Sequence, residues 1–215
     1  MPTDLALLTF VKYPEPGKAK TRLAAALGAQ LASDWYRYFI DLTLAKTKLV
    51  TPSERYVTFS PAERQDDFQA LFKDDSHWFP QAASPDLGER IYQAVQTVLE
   101  RGHRRVLVIG SDSPSLPVEY LSNAAEALVG HDLVLGPAED GGYYLIGLKS
   151  TPAVLFENIA WSTARVLEQT QAAAARAGLS VFRLPEWYDI DDLESLQRFS
   201  RAHQFPSQFP LDFLL

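Results

Sequence analysis

The most constraining stretch of this chain is residues 104–117, RRVLVIGSDSPSLP. Val106, Leu107, Val108 and Ile109 form a continuous apolar run, which a strand buried on both faces requires and a half-exposed strand does not. The run stops at Gly110-Ser111-Asp112-Ser113-Pro114, small and polar, and a helix is expected to open near Pro117. Open α/β sheets bind ligands outside the carboxyl ends of their parallel strands. Asp112 is therefore a candidate metal-binding carboxylate. A turn aspartate that bonds the next backbone N–H groups is the competing reading.

A second apolar run, residues 5–11, leads into Lys12-Tyr13-Pro14-Glu15-Pro16-Gly17-Lys18-Ala19-Lys20-Thr21-Arg22-Leu23. Two prolines and a glycine give residues 13–17 a fixed shape. Residues 20–27 then read as a helix ending at Gly28. Strand, stiff loop and helix N-terminus together favour an anion site, to which Lys12, Lys18, Lys20 and Arg22 add formal charge, over the competing reading of a surface loop with solvated lysines. The loop is neither a Walker loop nor a dinucleotide fingerprint, because the required glycines are missing.

Further along, residues 30–49 carry a helical apolar stripe through Leu31, Trp35, Tyr38, Phe39, Leu42 and Leu49. Residues 55–59 read as a strand, and Ser60 with Glu63 as a capping box opening a helix to about residue 72. Asp86 and Glu89 have the same spacing at the head of a helix lined by Leu87, Ile91, Val95, Val98 and Leu99. Gly88 in that first turn costs roughly 1 kcal/mol relative to Ala, which makes sense where a ligand approaches the backbone; Arg90 then faces the same pocket. A helix over 117–129 and a strand over 132–136 precede Pro137-Ala138-Glu139-Asp140-Gly141-Gly142, and 143–148 is again a strand. Two acids beside two glycines suit a substrate hydroxyl lying against bare main chain. Ser162 is a plausible cap for a helix reaching 177, and 179–184 is the last expected strand. Asp191 and Glu194 have capping-box spacing, yet three aspartates in 189–192 call for a cation or a helix N-terminus to neutralise them.

Bulk properties exclude several classes. The chain has 215 residues, 47% hydrophobic, enough for a core without staples. No cysteine means no disulfide, thiolate site or cysteine nucleophile, and four scattered histidines do not suggest zinc. A net charge of −7 argues against non-specific nucleic-acid binding. No apolar run approaches a membrane span and no signal-peptide pattern opens the chain, so a cytoplasmic protein without membrane partners is expected. Strands alternating with helices predict one α/β domain over 1–204 with a mostly parallel sheet, followed by a tail over 205–215 that wraps the core or docks a second subunit as a homodimer.

The motif order KYPEPGKAKTRL, DLGER, GSDSPSLP, GPAEDGGYYLIGL, WSTARVL, DIDDLESL resembles a bacterial glycosyltransferase-like family of the nucleotide-diphospho-sugar transferase superfamily. That superfamily has the GT-A fold, a Rossmann-like three-layer α/β/α sandwich, and the family is similar to phospholactate guanylyltransferase and the molybdenum-cofactor nucleotidyltransferases. The resemblance spans about residues 5–200. It implies that Lys12, Gly17, Lys20 and Arg22 hold nucleotide phosphates, with Asp86, Gly88 and Arg90 along the nucleotide or acceptor cleft. It implies Asp112 and Asp191 as ligands of Mg2+ or Mn2+, and Glu139, Asp140, Gly141 and Gly142 near the acceptor. The family pattern leads one to expect an acid after Pro114, where this chain has Ser115.

Two transferase reactions fit these residues, each joining a small-molecule acceptor to part of a nucleotide donor. In glycosyl transfer a nucleotide sugar is the donor, Asp112 sits at the metal, and Asp140 or Glu139 is the base for an acceptor hydroxyl. In nucleotidyl transfer an acceptor attacks the α-phosphate of a nucleoside triphosphate and pyrophosphate leaves. The sequence favours the glycosyltransferase-type reading slightly, and a non-catalytic nucleotide-binding protein on the same fold is the third option.

Overall fold

The computed structural model describes residues 3–203 together with Pro206 and Phe209. Among the described residues seven strands form one sheet: β1 (Leu5–Lys12), β2 (Glu54–Ser60), β3 (His77–Pro80), β4 (Arg105–Ile109), β5 (Leu133–Pro137), β6 (Tyr143–Leu148) and β7 (Val181–Arg183). Their spatial order is β3-β2-β1-β4-β6-β5-β7. Every pairing is parallel except those of β6, which runs antiparallel to both β4 and β5.

The apolar runs behave as two-faced buried strands. In β1, Leu5, Leu7 and Val11 point to one side of the sheet and Ala6 and Leu8 to the other; in β4, Leu107 and Ile109 oppose Val106 and Val108. Helices cover both faces, giving three layers. One face carries α1 (Thr21–Leu27), α2 (Ala29–Thr47), α3 (Gln65–Leu71), α5 (Val118–Gly130) and α7 (Leu193–Ala202). The other carries α4 (Leu87–Leu99), whose Ile91, Ala94, Val95 and Val98 are buried, and α6 (Val166–Arg176). Among the described residues no helix is long and apolar enough to cross a membrane.

Several local expectations change. Ser60 ends β2 and no side chain caps the single 3-10 turn Ala62–Arg64, so the expected capping box there does not form. α6 starts at Val166, after Ser162, which sits at φ 61° and caps nothing. Leu49 lies beyond the end of α2 and is 66% exposed. Tyr36, absent from the expected stripe, is buried instead. Most of the tail at 205–215 lies outside the described residues, but Phe209 is buried and stacks on Trp35 with ring centroids 4.1 Å apart.

Candidate active site

The carboxyl ends of β1, β2 and β4 reach the same sheet edge, and the reversed β6 brings its first residue, Tyr143, to that edge as well. The turn after β4 is held from several sides. Ser111 is buried and shares a 2.9 Å hydrogen bond with the Tyr36 hydroxyl, which also accepts from the Lys12 backbone N–H at 3.1 Å. Burial, reinforced by the Asp112 charge, pushes the Tyr36 hydroxyl up to about 12, so it stays protonated and neutral. Lys46 of α2 donates to the carbonyls of Pro114 and Leu116. Its burial lowers the ammonium to about 8. The Ile190 N–H donates to the Asp112 carbonyl at 2.8 Å, which docks residues 189–191 beside the end of β4.

The anchor of the site is Lys20. It takes a left-handed conformation, φ 49°, at the N-cap of α1, and this turns its side chain inward. There Lys20 Nζ contacts the carboxylates of both Asp112 and Asp191, the latter at 2.8 Å. The lysine side chain is 4% exposed, whereas those of Asp112 and Asp191 are 48% and 43% exposed. Burial opposes the ammonium charge, but the two carboxylates overcome it and hold Lys20 above its usual range. Asp189 is the third carboxylate here; it accepts from the Ser113 hydroxyl. Burial first, then the neighbouring Asp112 charge, pushes its carboxyl up to about 7. Two acids thus grip one lysine, with Asp189 buried beside them.

Asp191 is free for this contact because Asp192, not Asp191, caps α7. Asp192 accepts from Ser195 N–H, and the Ser195 hydroxyl closes the box on the Asp192 N–H. Ser115, at the position where an acid is expected, accepts from the Trp187 indole N–H at 2.9 Å and so braces the segment leading to Asp189.

A cup of about 340 Å³ opens against this pair of acids, walled by Lys12, Lys18 and Arg22. Lys12 Nζ crosses the loop to the Lys18 carbonyl at 2.7 Å, and Lys18 pairs with Glu15 at 2.8 Å. Arg22 makes no contact ion pair among the described residues. Gly17 stays outside the cup; its φ of +78° closes the turn in front of Lys18. Lys12, Arg22, Asp112 and Asp191 also line a neighbouring cleft of about 630 Å³, which runs between β1, β4, β6 and α4. Arg90, Asp140 and Gly142 line that cleft.

The remaining expected residues are placed otherwise. Asp86 is the N-cap of α4 and accepts from Glu89 N–H at 2.8 Å. Gly88 does not present bare backbone to a ligand, because a Cβ there would lie 2.5 Å from Trp161 Nε1: the indole fills that space. Gly141, at φ +88°, is required by the Ala164 carbonyl, 2.3 Å from where its Cβ would sit. Glu139 is paired with Arg198 at 2.9 Å and faces a third cavity, of about 860 Å³, on the α7 side. Asp140, in the cleft, accepts from the Gly142 N–H at 2.8 Å.

The chain is similar to proteins of the same architecture. A structure from Desulfovibrio desulfuricans G20, named as a "putative nucleotide-diphospho-sugar transferase", matches with 34% identity and a TM-score of 0.89, covering 100% of this chain and 93% of that one. A CMP:2-keto-3-deoxy-manno-octonic acid synthetase complexed with CTP matches at 10% identity and TM-score 0.61, covering 93% and 98%. Rv0371c from Mycobacterium tuberculosis H37Rv, in complex with manganese, matches at 10% identity and TM-score 0.60, covering 94% and 100%. The last two show the fold alone. No curated protein matches by sequence. A family model, described as an uncharacterized protein conserved in bacteria (DUF2064), matches residues 43–163. With more than half its length in that match, the chain belongs to this bacterial family and has the nucleotide-diphospho-sugar transferase fold.

Proposed function

We propose that this protein is a transferase acting on a nucleotide-activated donor, and that nucleotidyl transfer from a nucleoside triphosphate is the reaction the geometry supports best. The observation that carries the reading is the meeting of the basic cup with the Asp112–Asp191 pair. A triphosphate carries charge enough to engage Lys12, Lys18 and Arg22 together, with its α-phosphate toward the acids.

The same pair fits a divalent cation. Two carboxylate oxygens already converge on one positive point, the Lys20 ammonium, and two carboxylates against one ammonium leave negative charge uncompensated. Among the described residues no group of three His, Asp or Glu makes a metal cage alone. Mg2+ is commonly held by one or two carboxylates completed by substrate phosphates. Asp112 and Asp191 would hold Mg2+ or Mn2+, and the hard all-oxygen donor set suits either. Bound there, the ion supplies charge stabilisation to the phosphates during transfer. Lys20 keeps the two carboxylates oriented, while Lys12 and Arg22 neutralise the phosphates that leave as pyrophosphate. The acceptor approaches from the cleft, on the side of Asp140.

Glycosyl transfer is the second reading. Asp140 favours it: the carboxylate lines the cleft, has no ion-pair partner among the described residues, and is able to take the proton of an acceptor hydroxyl. The 34%-identical relative carries a sugar-transferase name, which supports the same reading.

A thermal-unfolding panel of nucleoside triphosphates and nucleotide sugars, each with and without Mg2+, separates the two. A ligand at 100 times its dissociation constant adds roughly 2.7 kcal/mol to the folded state. Magnesium-dependent stabilisation by a triphosphate, larger than by any nucleotide sugar, is the expected result. Stabilisation by one nucleotide sugar alone selects glycosyl transfer, and no shift with any member removes both.

A further inference from the structure

We propose that Arg90, fixed in place by Gln81, reads the base of the bound nucleotide and selects one that presents two adjacent hydrogen-bond acceptors on its edge. Guanine does so with O6 and N7, and cytosine with O2 and N3. The inference rests on the nucleotide reading above and adds which nucleotide the cleft takes.

Gln81 follows β3 directly, and its backbone N–H donates to the Phe59 carbonyl at 2.8 Å. Its side-chain nitrogen donates to two main-chain carbonyls, Val11 of β1 and Thr58 of β2, each at 3.2 Å. A carboxamide has two N–H donors and one oxygen. With both donors committed to carbonyls, which only accept, the amide has one orientation. Its Oε1 is then turned to accept from Arg90 Nη1 at 3.0 Å. Two neighbouring strands thus fix one guanidinium through one glutamine.

Arg90 has unspent capacity. A guanidinium carries five N–H donors in a rigid fork, and the bond to Gln81 uses one. Nε is buried without an acceptor, and no carboxylate lies within ion-pair distance among the described residues. An N–H of a charged group left buried and unpaired is costly. Arg90 lines the cleft with this capacity unspent.

The surroundings suit a base. Phe10, Leu87, Ile91, Tyr143 and Trp161 line the same cleft and provide apolar and aromatic walls for a flat ring. The cleft shares Lys12, Arg22, Asp112 and Asp191 with the cup. A nucleotide with its phosphates in the cup therefore extends its nucleoside into the cleft. The arginine fork matches paired acceptors, as it does with guanine O6 and N7 in duplex DNA. Adenine places its amino donor beside each neighbouring ring acceptor, and uracil sets an N–H between its two carbonyls. A donor facing a donor is repulsive, so both bases are disfavoured.

The test is titration calorimetry of the full chain, in Mg2+, with GTP, CTP, ATP, UTP and inorganic triphosphate. At least one of GTP and CTP is expected to bind about tenfold or more tighter than ATP and UTP, the size of effect a bidentate base contact gives. Arg90→Lys keeps the charge but loses the fork. It should bring the four nucleotides to within about threefold of one another and leave inorganic triphosphate unchanged. Gln81→Leu, which frees the arginine without touching its charge, should also flatten the selectivity and gives an independent second variant. Equal binding of all four nucleotides by the parent protein overturns the base reading and leaves the nucleotide reading standing. An equal loss of GTP and inorganic triphosphate in Arg90→Lys overturns it too, since Arg90 is then a phosphate contact. If neither nucleotides nor triphosphate bind, both readings fall together.

Discussion

Replacing Asp112 by Asn is expected to lower the transfer rate by about 100-fold or more while leaving the fold in place. Removing one oriented group that stabilises developing charge typically costs 10²- to 10³-fold in turnover. The fold is spared for identifiable reasons. The Asp112 backbone carbonyl, not its side chain, accepts the Ile190 N–H that docks residues 189–191. Its carboxylate is half exposed, so losing its charge leaves no buried hole. Lys20 keeps Asp191 as a partner at 2.8 Å. Steady-state kinetics under saturating Mg2+, beside a thermal melt, checks both halves. An unchanged rate in an assay where the parent turns over would remove Asp112 from the chemistry.

Replacing Asp189 by Asn is expected to stabilise the protein above neutral pH and to leave it unchanged near pH 4. The carboxyl is pushed from its ordinary 3.8 up to about 7, by burial first and by Asp112 second. The folded state therefore retains a proton that the unfolded chain releases about three pH units lower. Between these values the unfolded state binds fewer protons, so stability contributed by this group falls as pH rises from about 4 to about 7. A tenfold difference in proton affinity is worth about 1.36 kcal/mol, which sets the whole effect at roughly 2–4 kcal/mol. Asn keeps an oxygen for the Ser113 hydroxyl and carries no charge to bury. Urea unfolding of both proteins across this range, in chelator to keep divalent ions out, should show the variant more stable at about pH 8 and the two curves converging in acid. A variant less stable at pH 8 would contradict the assignment.

Much of this architecture is legible in the chain. The apolar runs at β1 and β4 declare buried parallel strands, and the abrupt Gly110-Ser111-Asp112 end places Asp112 at the carboxyl edge of the sheet. The basic loop after β1 is legible as well, and the structure brings it to the same edge as Asp112 and Asp191. What the sequence hides are choices made by tertiary contact. Four cations near one helix start look equivalent, yet the left-handed backbone at Lys20 turns that one inward to an acid 171 positions away. Capping-box spacing at 191 and 194 competes with the same spacing at 192 and 195. The second wins because serine closes the box with its hydroxyl and Asp191 stays with Lys20. Gly88 signals close approach correctly but not by what, since Trp161 lies 73 positions later and no local rule pairs them. Gln81 gives no signal at all. It follows a short edge strand, β3, whose half-exposed residues lack a clean alternation, and its importance lies in carbonyls of two other strands.

The most direct measurement is a crystal structure grown with Mn2+ and a non-hydrolysable nucleoside triphosphate, with the metal located by its anomalous signal. The account predicts one manganese peak bound by Asp112 and Asp191 and by phosphate oxygens, with the triphosphate along Lys12 and Arg22. A manganese peak or a triphosphate found away from these residues would contradict it.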